Sequence, residues 1–471
     1  MKHDLVVFVP GITGTRLSRD GKDLWNPSLR ALLGAVPPQR LFTRLRLPDG
    51  IGDERPEEPF AVEARELVTR PTGVPGLLMH HGYPDVTDLL TGVRPEQFVV
   101  FPYDWRLSNR ITAKDLKVRV ERELGRWREE FRSHYPKAED DPEVVLICHS
   151  MGGLVARYYL ECLGGRDTAR TLVTVGTPHR GAAKAIRFLT GHGVGKGLLG
   201  RTAAAMAGGV NERLADLCRT FPSMGQLLPV YEAVRRPEYP EGYYEQLTDI
   251  DVGIPTATLE DVFDFHDTFE AAALKNLRES PDRGLPYQVR CLGGRAHPTV
   301  HGVVVSPGQR LDFLYALDDV EPWTGDGTVP AESAYAAWAL RSTDEAVWNG
   351  HRHGSLISRE AFGHQLDSAY NSKTSRDTLA ADDEFGLVAP EFAVAGEPFE
   401  VVATGVERGR TVRASLHPDG TTAPESSTLL SGVGRDERRG SLTAGPGTWV
   451  LSVWADRPRV VQRDVVMVVE P

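Results

Sequence analysis

The sequence predicts an α/β fold with a mostly parallel central sheet, followed by a small antiparallel β-sandwich. Three observations predict it. Short β-branched, apolar runs alternate with helical patterns over the first two thirds of the chain, as strands and covering helices do in a parallel sheet. One of these runs, EVVLICH at 143–149, enters a helical pattern through Ser-Met-Gly-Gly alone. From residue 386 onward the patterning changes to short alternating strands separated by turn signals.

The strand candidates of the first part are 5–10, 98–103, 143–149, 171–178 and 287–294, and the clearest helices are 112–134 and 151–163. Two long insertions interrupt this series. Residues 26–60 are rich in Pro, Leu and Arg, and residues 182–284 are first Gly/Ala-rich and then helical and acidic. Insertions of this length are usually lids or caps. In the C-terminal part the strand candidates are 399–405, 411–417, 447–456 and 460–469, with HPDG, AGPG and ADRP as turns. This spacing fits an immunoglobulin-like sandwich. It gives a first domain of 1–380, a second of 386–471 and a linker at 375–384. The alternative is that the late strands extend the first sheet.

The chain has 471 residues and a formal net charge of −11, with 41% apolar and 25% charged residues. The acidic balance excludes a global basic footprint for nucleic acid. No apolar run reaches the length of a membrane span. The N-terminus, MKHDLVVFVPG, reads as a first strand rather than a signal peptide. The four cysteines, Cys148, Cys162, Cys218 and Cys291, show neither paired metal-ligand spacing nor a disulfide framework. A cytoplasmic protein is expected, with no metal and no cofactor; its protein partners are not legible.

Between 143 and 160 a buried strand meets a helix at a corner with serine at its apex. Such a turn lifts a serine oxygen above the sheet and points a helix N-terminus at it, which is the nucleophile elbow of α/β-hydrolases. Cys148-His149-Ser150-Met151-Gly152 departs from G-x-S-x-G only in its first residue. A serine nucleophile needs a base and a group that orients the base, and in this fold the order is Ser, acid, His. Downstream, Gly-Asp-Gly-Thr-Val-Pro at 325–330 offers Asp326 as the acid. Three histidines follow it, with His353 the first choice as base, then His351, then His364, the last lying in a helical pattern. Two backbone N–H groups must receive the oxyanion. Met151, after the nucleophile, is one, and Ile12, in the turn after the first strand (VPGITGTRL), is the other.

VPGITGTRL followed by Leu-Trp at 24–25, FPYDWR at 101–106, CHSMGG at 148–153, VGTPHRGA at 175–182 and GDGTVP at 325–330 occur in that order. Together they resemble the lecithin:cholesterol acyltransferase family, whose relatives include phospholipid:diacylglycerol acyltransferases, lysosomal phospholipases A and bacterial lipases. The resemblance covers roughly residues 4–370. It implies an α/β-hydrolase with cap and lid that cleaves acyl esters through an acyl-enzyme, with water or an alcohol as acceptor. By position it implies Ser150 as nucleophile, Asp326 as acid, His353 as base, Ile12 and Met151 as oxyanion donors, and Trp25 at the start of the lid, near substrate. Animal members close the lid with a disulfide; here no cysteine precedes Cys148, so the lid is held otherwise or is looser.

The expected activity is that of a lipase, phospholipase A or O-acyltransferase on a phospholipid or acylglycerol. Residues 26–47 carry Arg30, Arg40, Arg44 and Arg46 among Leu, Val and Phe and contain no acid. Such a segment suits peripheral contact with an anionic membrane, or equally a lid packed on its own cleft. Two further readings stand beside this one: a phospholipase effector that attacks membranes, and a catalytically silent hydrolase fold whose sandwich is a binding module.

Overall fold

The computed structural model describes residues 3–25, 43–69, 86–138, 140–192, 211–279, 286–315, 325–338, 346–371, 385–418, 423–433, 436–456 and 460–470, with short pieces at 72–74, 77–80, 82–83 and 421. Six parallel strands form the central sheet: β1 (Leu5–Val9), β2 (Phe98–Val100), β3 (Val144–His149), β4 (Ala169–Val175), β5 (Gln288–Gly294) and β6 (Val347–Asn349). Their spatial order is β6-β5-β4-β3-β1-β2. Both faces are covered, and the strand period of two shows how. Leu5, Val7, Val9, Val144, Leu146 and Cys148 join one apolar cluster. The alternate residues Val6, Phe8, Val145 and Ile147 join another. That division is what near-continuous apolar strands require.

On the first face lie helices α1 (Asn109–His134), α2 (Met151–Cys162) and α3 (Thr256–Glu279). Ser108 caps α1 by accepting a hydrogen bond from the Arg110 amide at 3.2 Å. Leu116, Val120 and Leu124 of α1 meet Leu154 and Val155 of α2 and Phe265 and Phe269 of α3 in one cluster. On the other face, Phe362, Leu366 and Tyr370 of α4 (Arg359–Asn371) join the cluster of Val6, Phe8, Val145 and Ile147. Each such side chain contributes about 1.5–3 kcal/mol on burial.

The C-terminal strands are β7 (Gly386–Val388), β8 (Phe392–Val394), β9 (Phe399–Thr404), β10 (Val412–Pro418), β11 (Ser426–Val433), β12 (Glu437–Leu442), β13 (Gly447–Ala455) and β14 (Val460–Val469). Strand β11 pairs with β10 through Ser426 to Leu430 and with β12 through Ser431 to Val433, so it crosses from one sheet to the other. The first strands divide likewise: β7 runs antiparallel to β9, and β8 runs parallel to β14. Between the two sheets lies a separate apolar cluster that includes Leu387, Val401, Val412, Leu416, Leu451 and Val466. This is a sandwich of immunoglobulin-like type.

The sequence-based expectations differ from the structure at identifiable places. Strand 98–103 ends at Val100; Phe101 still donates to the Phe8 carbonyl at 2.9 Å before the chain leaves the sheet. Strands β11 and β12 went unseen because SSTLLSGV is mostly exposed and ERRGSL has a single apolar residue, so neither carries much apolar signal. Strand β6 is only three residues long. The far end of the 182–284 insertion is α3, which packs back on α2. Most of the Arg-rich segment, with Arg30 and Arg40, lies outside the described residues, as does the linker at 375–384. Arg46 is described, and its guanidinium pairs with Asp49 at 2.6 Å. No described helix is long and apolar enough to cross a membrane.

Candidate active site

The C-terminal ends of β1 and β3 lie side by side, with Val9 opposite Cys148. The chain leaves β3 at His149, turns at Ser150 and starts α2 at Met151. Ser150 has φ 52° and ψ −128°, a strained region that costs about 1–3 kcal/mol for a residue with a side chain. Its amide donates to the Val175 carbonyl at 2.9 Å, which fixes the corner to β4. Close packing behind the corner demands Gly152, where a Cβ would come within 2.5 Å of the Val9 carbonyl oxygen and 2.6 Å of that of Pro10. Cys148 fills the first motif position with its side chain buried in the sheet.

Asp326 and His353 lie on two loops that meet Ser150 from the other side. The His353 amide donates to the Asp326 carbonyl at 2.9 Å, so the loops are tied before any side chain acts. Asp326 Oδ1 accepts the amides of Thr328 at 2.9 Å and Val329 at 2.7 Å. Its Oδ2 is left for His353 Nδ1, at 2.7 Å. His353 Nε2 then stands 2.9 Å from Ser150 Oγ. Because a carboxylate only accepts, Nδ1 carries the proton and Nε2 is free to accept from the serine hydroxyl. Asp326 is 1% exposed. The three residues chosen from sequence are thus brought together, and the two other histidines are not. His351 sits beside the base loop, half-buried, and burial holds its imidazole down at about 4. His364 is exposed on α4.

Ile12 lines the cleft with Ser150 and His353, and Met151 opens α2. The 10–15 loop that carries Ile12 is held by the aromatic residues of FPYDWR. Tyr103 Oη donates to the Pro10 carbonyl at 2.7 Å, and Trp105 Nε1 donates to the Thr15 carbonyl at 3.1 Å. Arg106, fully buried, pairs with Asp104 at 2.7 Å and donates to the carbonyls of Leu45 at 3.0 Å and Phe60 at 3.1 Å. Trp25 belongs to this bracing and does not line the cleft at Ser150. Its indole is 3% exposed, donates to the Thr13 carbonyl at 2.8 Å and meets Trp105 edge to face. Among the described residues the contacts of Trp25 are with this loop and with Trp105.

A second chain of hydrogen bonds, unseen in the sequence, joins the two sides of the cleft. The Gly11 amide donates to Tyr83 Oη at 2.9 Å, Tyr83 donates to His149 Nδ1 at 2.8 Å, and His149 Nε2 donates to the His353 carbonyl at 3.1 Å. His149 was visible as a motif residue, but nothing marked Tyr83. The cleft is also lined by Lys184, Arg352, Glu391 and Asp464, and its free volume is about 40 Å³. Among the described residues no cluster of His, Cys, Asp or Glu could hold a metal ion.

Comparison with known proteins adds the following. Residues 85–249 match the family described as lecithin:cholesterol acyltransferase. An uncharacterised protein of Saccharomyces cerevisiae is 35% identical over 119 residues, which are 24% of this chain and 16% of that protein, so the chain spans only a small part of that relative's length. Among solved structures, the Tle4–Tli4 complex contains a chain with a TM-score of 0.46 and 16% identity, over 79% of this chain and 98% of that one. Phospholipase PlaB from Legionella pneumophila has a TM-score of 0.35 and 8% identity, over 99% and 92% of the two chains. The Bacillus licheniformis lipase BlEst2 in propeptide form has a TM-score of 0.29 and 13% identity, over 98% and 73%. The family match contains Ser150 but neither Asp326 nor His353, whose placement rests on the geometry above. Over residues 85–249, the segment that carries the strained serine, the chain matches the lecithin:cholesterol acyltransferase family, as its ordered motifs imply.

Proposed function

We propose that this chain is a serine-dependent lipid-ester hydrolase or O-acyltransferase, with residues 1–380 as its hydrolase unit and 386–471 as a second unit. The family match supports lipid-ester chemistry in general. One observation supports the catalytic reading above the rest: a continuous path from Ser150 Oγ to His353 Nε2 at 2.9 Å and from His353 Nδ1 to Asp326 Oδ2 at 2.7 Å, on a strained corner. A catalytically silent fold has no need to keep that strain and that path together.

In this reading Ser150 Oγ attacks the ester carbonyl while its proton passes to His353 Nε2. Asp326 holds the imidazole in the required tautomer and stabilises the imidazolium. The carbonyl oxygen, now negative, is received by the Ile12 amide in the loop after β1 and by the Met151 amide at the start of α2. Collapse breaks the ester C–O bond, and His353 returns the proton to the departing alcohol. Water or an acceptor alcohol then gives its proton to His353 and attacks the acyl-enzyme; the bond to Ser150 Oγ breaks, His353 returns that proton to Ser150 Oγ, and acid or a new ester is released.

The test is a panel of phosphatidylcholine and diacylglycerol vesicles, with and without a long-chain alcohol, assayed for free fatty acid and new ester. Wild type is expected to release one or both, and Ser150→Ala neither. Turnover of short esters with no reaction on any lipid would overturn the lipid assignment and leave an esterase.

A further inference from the structure

We propose that the C-terminal sandwich is a structural part of the active site, and that Asp464 and Glu391 on it are positioning residues for the acid and base loops. The inference rests on the triad reading above and goes beyond it, since the sandwich lies outside the matched segment.

The contacts converge on the two loops. Arg352, the residue before His353, reaches Asp464 of β14 at 3.0 Å and donates to the Leu387 carbonyl of β7 at 2.9 Å. Both partners are largely out of solvent, with side chains 16% and 8% exposed. The same guanidinium lies over Gly327, next to Asp326, where a Cβ would be 3.3 Å from it. One arginine therefore touches the acid loop, the base loop and both sheets of the sandwich. Lys184 makes a second link, with Glu391 at 3.3 Å and the Gly327 carbonyl at 3.4 Å.

His297 is the third link and is fully buried. The Leu387 amide donates to its Nδ1 at 3.1 Å, so Nε2 holds the proton and donates to the Gly350 carbonyl, three residues before His353. Its own amide donates to the Gly325 carbonyl at 3.0 Å, beside Asp326. Burial holds this imidazole neutral, down at about 4. At the seam Gly386 packs so closely on the Ala296 carbonyl that no side chain fits. The interface is thus built from fitted backbone and paired buried charge. A passively tethered domain gives no reason for three such links to end within three residues of Asp326 or His353.

The charge balance at the base gives the test. His353 is faced by Asp326 from the acid loop, His149 from the elbow, Arg352 from its own loop, Lys184 from the helix Lys184–Leu189, and Glu391 and Asp464 from the sandwich. Asp464→Asn leaves the Arg352 cation without its counter-charge next to the base. In the full-length protein, with a short p-nitrophenyl ester, kcat is expected to fall about tenfold while KM stays within about twofold, since misplaced groups slow the chemical step more than binding. The acid limb of the kcat–pH curve moves to lower pH. In Arg352→Gln/Asp464→Asn the limb returns to its wild-type position while kcat stays low, because charge is balanced again but the tether is gone. A merely structural loss would not move the limb and then restore it.

If Asp464→Asn gives no cooperative urea transition, Glu391→Gln carries the same test at the second link, with a smaller loss of about threefold in kcat and KM unchanged. Variants that keep kcat within twofold of an active wild type, with an unmoved pH limb, overturn the inference. A wild type that neither turns over ester nor takes up a fluorophosphonate overturns the triad reading instead, so the two failures are distinct.

Discussion

Acid should unfold this protein through its buried histidines, and His266 allows the effect to be weighed. His266 on α3 is 2% exposed, and its Nε2 donates to the Gln226 carbonyl at 3.2 Å. Burial, opposed by that hydrogen bond and aided by Arg157, holds the imidazole down at about 4. An unfolded histidine titrates near 6.5. The folded value is the lower one, so the unfolded chain binds the proton first. The stabilisation is complete above about pH 6.5 and is lost as pH falls toward 4. At pH 5 the unfolded ring is almost fully charged and the folded ring about one-tenth charged, which amounts to roughly 2 kcal/mol. His297, fully buried and also held at about 4, adds a similar loss. Together they remove about 4 kcal/mol out of a typical 5–15. The assay is urea unfolding at pH 7.5 and 5.0. His266→Leu costs stability at both values because the Gln226 carbonyl loses its donor, but its loss between the two values should be smaller than that of wild type by about 2 kcal/mol. An equal acid loss in wild type and His266→Leu would refute the reasoning.

Other outcomes follow from the same contacts. Tyr103→Phe leaves the buried Pro10 carbonyl without its 2.7 Å partner, so urea unfolding should show a loss of about 1–3 kcal/mol, and kcat should fall because the Ile12 amide is less firmly held. Gly152→Val drives a side chain into the Val9 and Pro10 carbonyls; activity should vanish and stability should drop by more than 3 kcal/mol or so, as overpacking against backbone dictates. Asp326→Asn keeps the shape of the acid but not its charge, and kcat on a short ester should fall by roughly 10⁴ with KM little changed.

Much of this architecture was legible because its causes are local. Strands β1 and β3 are apolar on both faces, so EVVLICH and LVVFV show as runs, and the corner at Ser150 shows because glycine must follow it. Asp326 was marked by its two flanking glycines, and chain order put a histidine after it. What stayed hidden depends on partners far away in sequence. Tyr83 looks like any tyrosine until it stands between Gly11 and His149. Arg352 looks like any surface arginine until Asp464 and the Leu387 carbonyl close around it. Trp25 was assigned by its place in an ordered motif, which fixes the residue but not the direction of its ring. Strands β11 and β12 lacked the apolar pattern because most of β11 is exposed and β12 buries an arginine, Arg438, beside Leu442.

The most direct test of the account is the intact mass of the full-length protein after treatment with a fluorophosphonate, compared among wild type, Ser150→Ala and His353→Gln. The account predicts one adduct on wild type, none on Ser150→Ala, and labelling of His353→Gln slowed at least about a hundredfold, since without the base the hydroxyl is an ordinary alcohol. An adduct that persists on Ser150→Ala, or a folded wild type that takes up none in the presence or absence of vesicles, would contradict it.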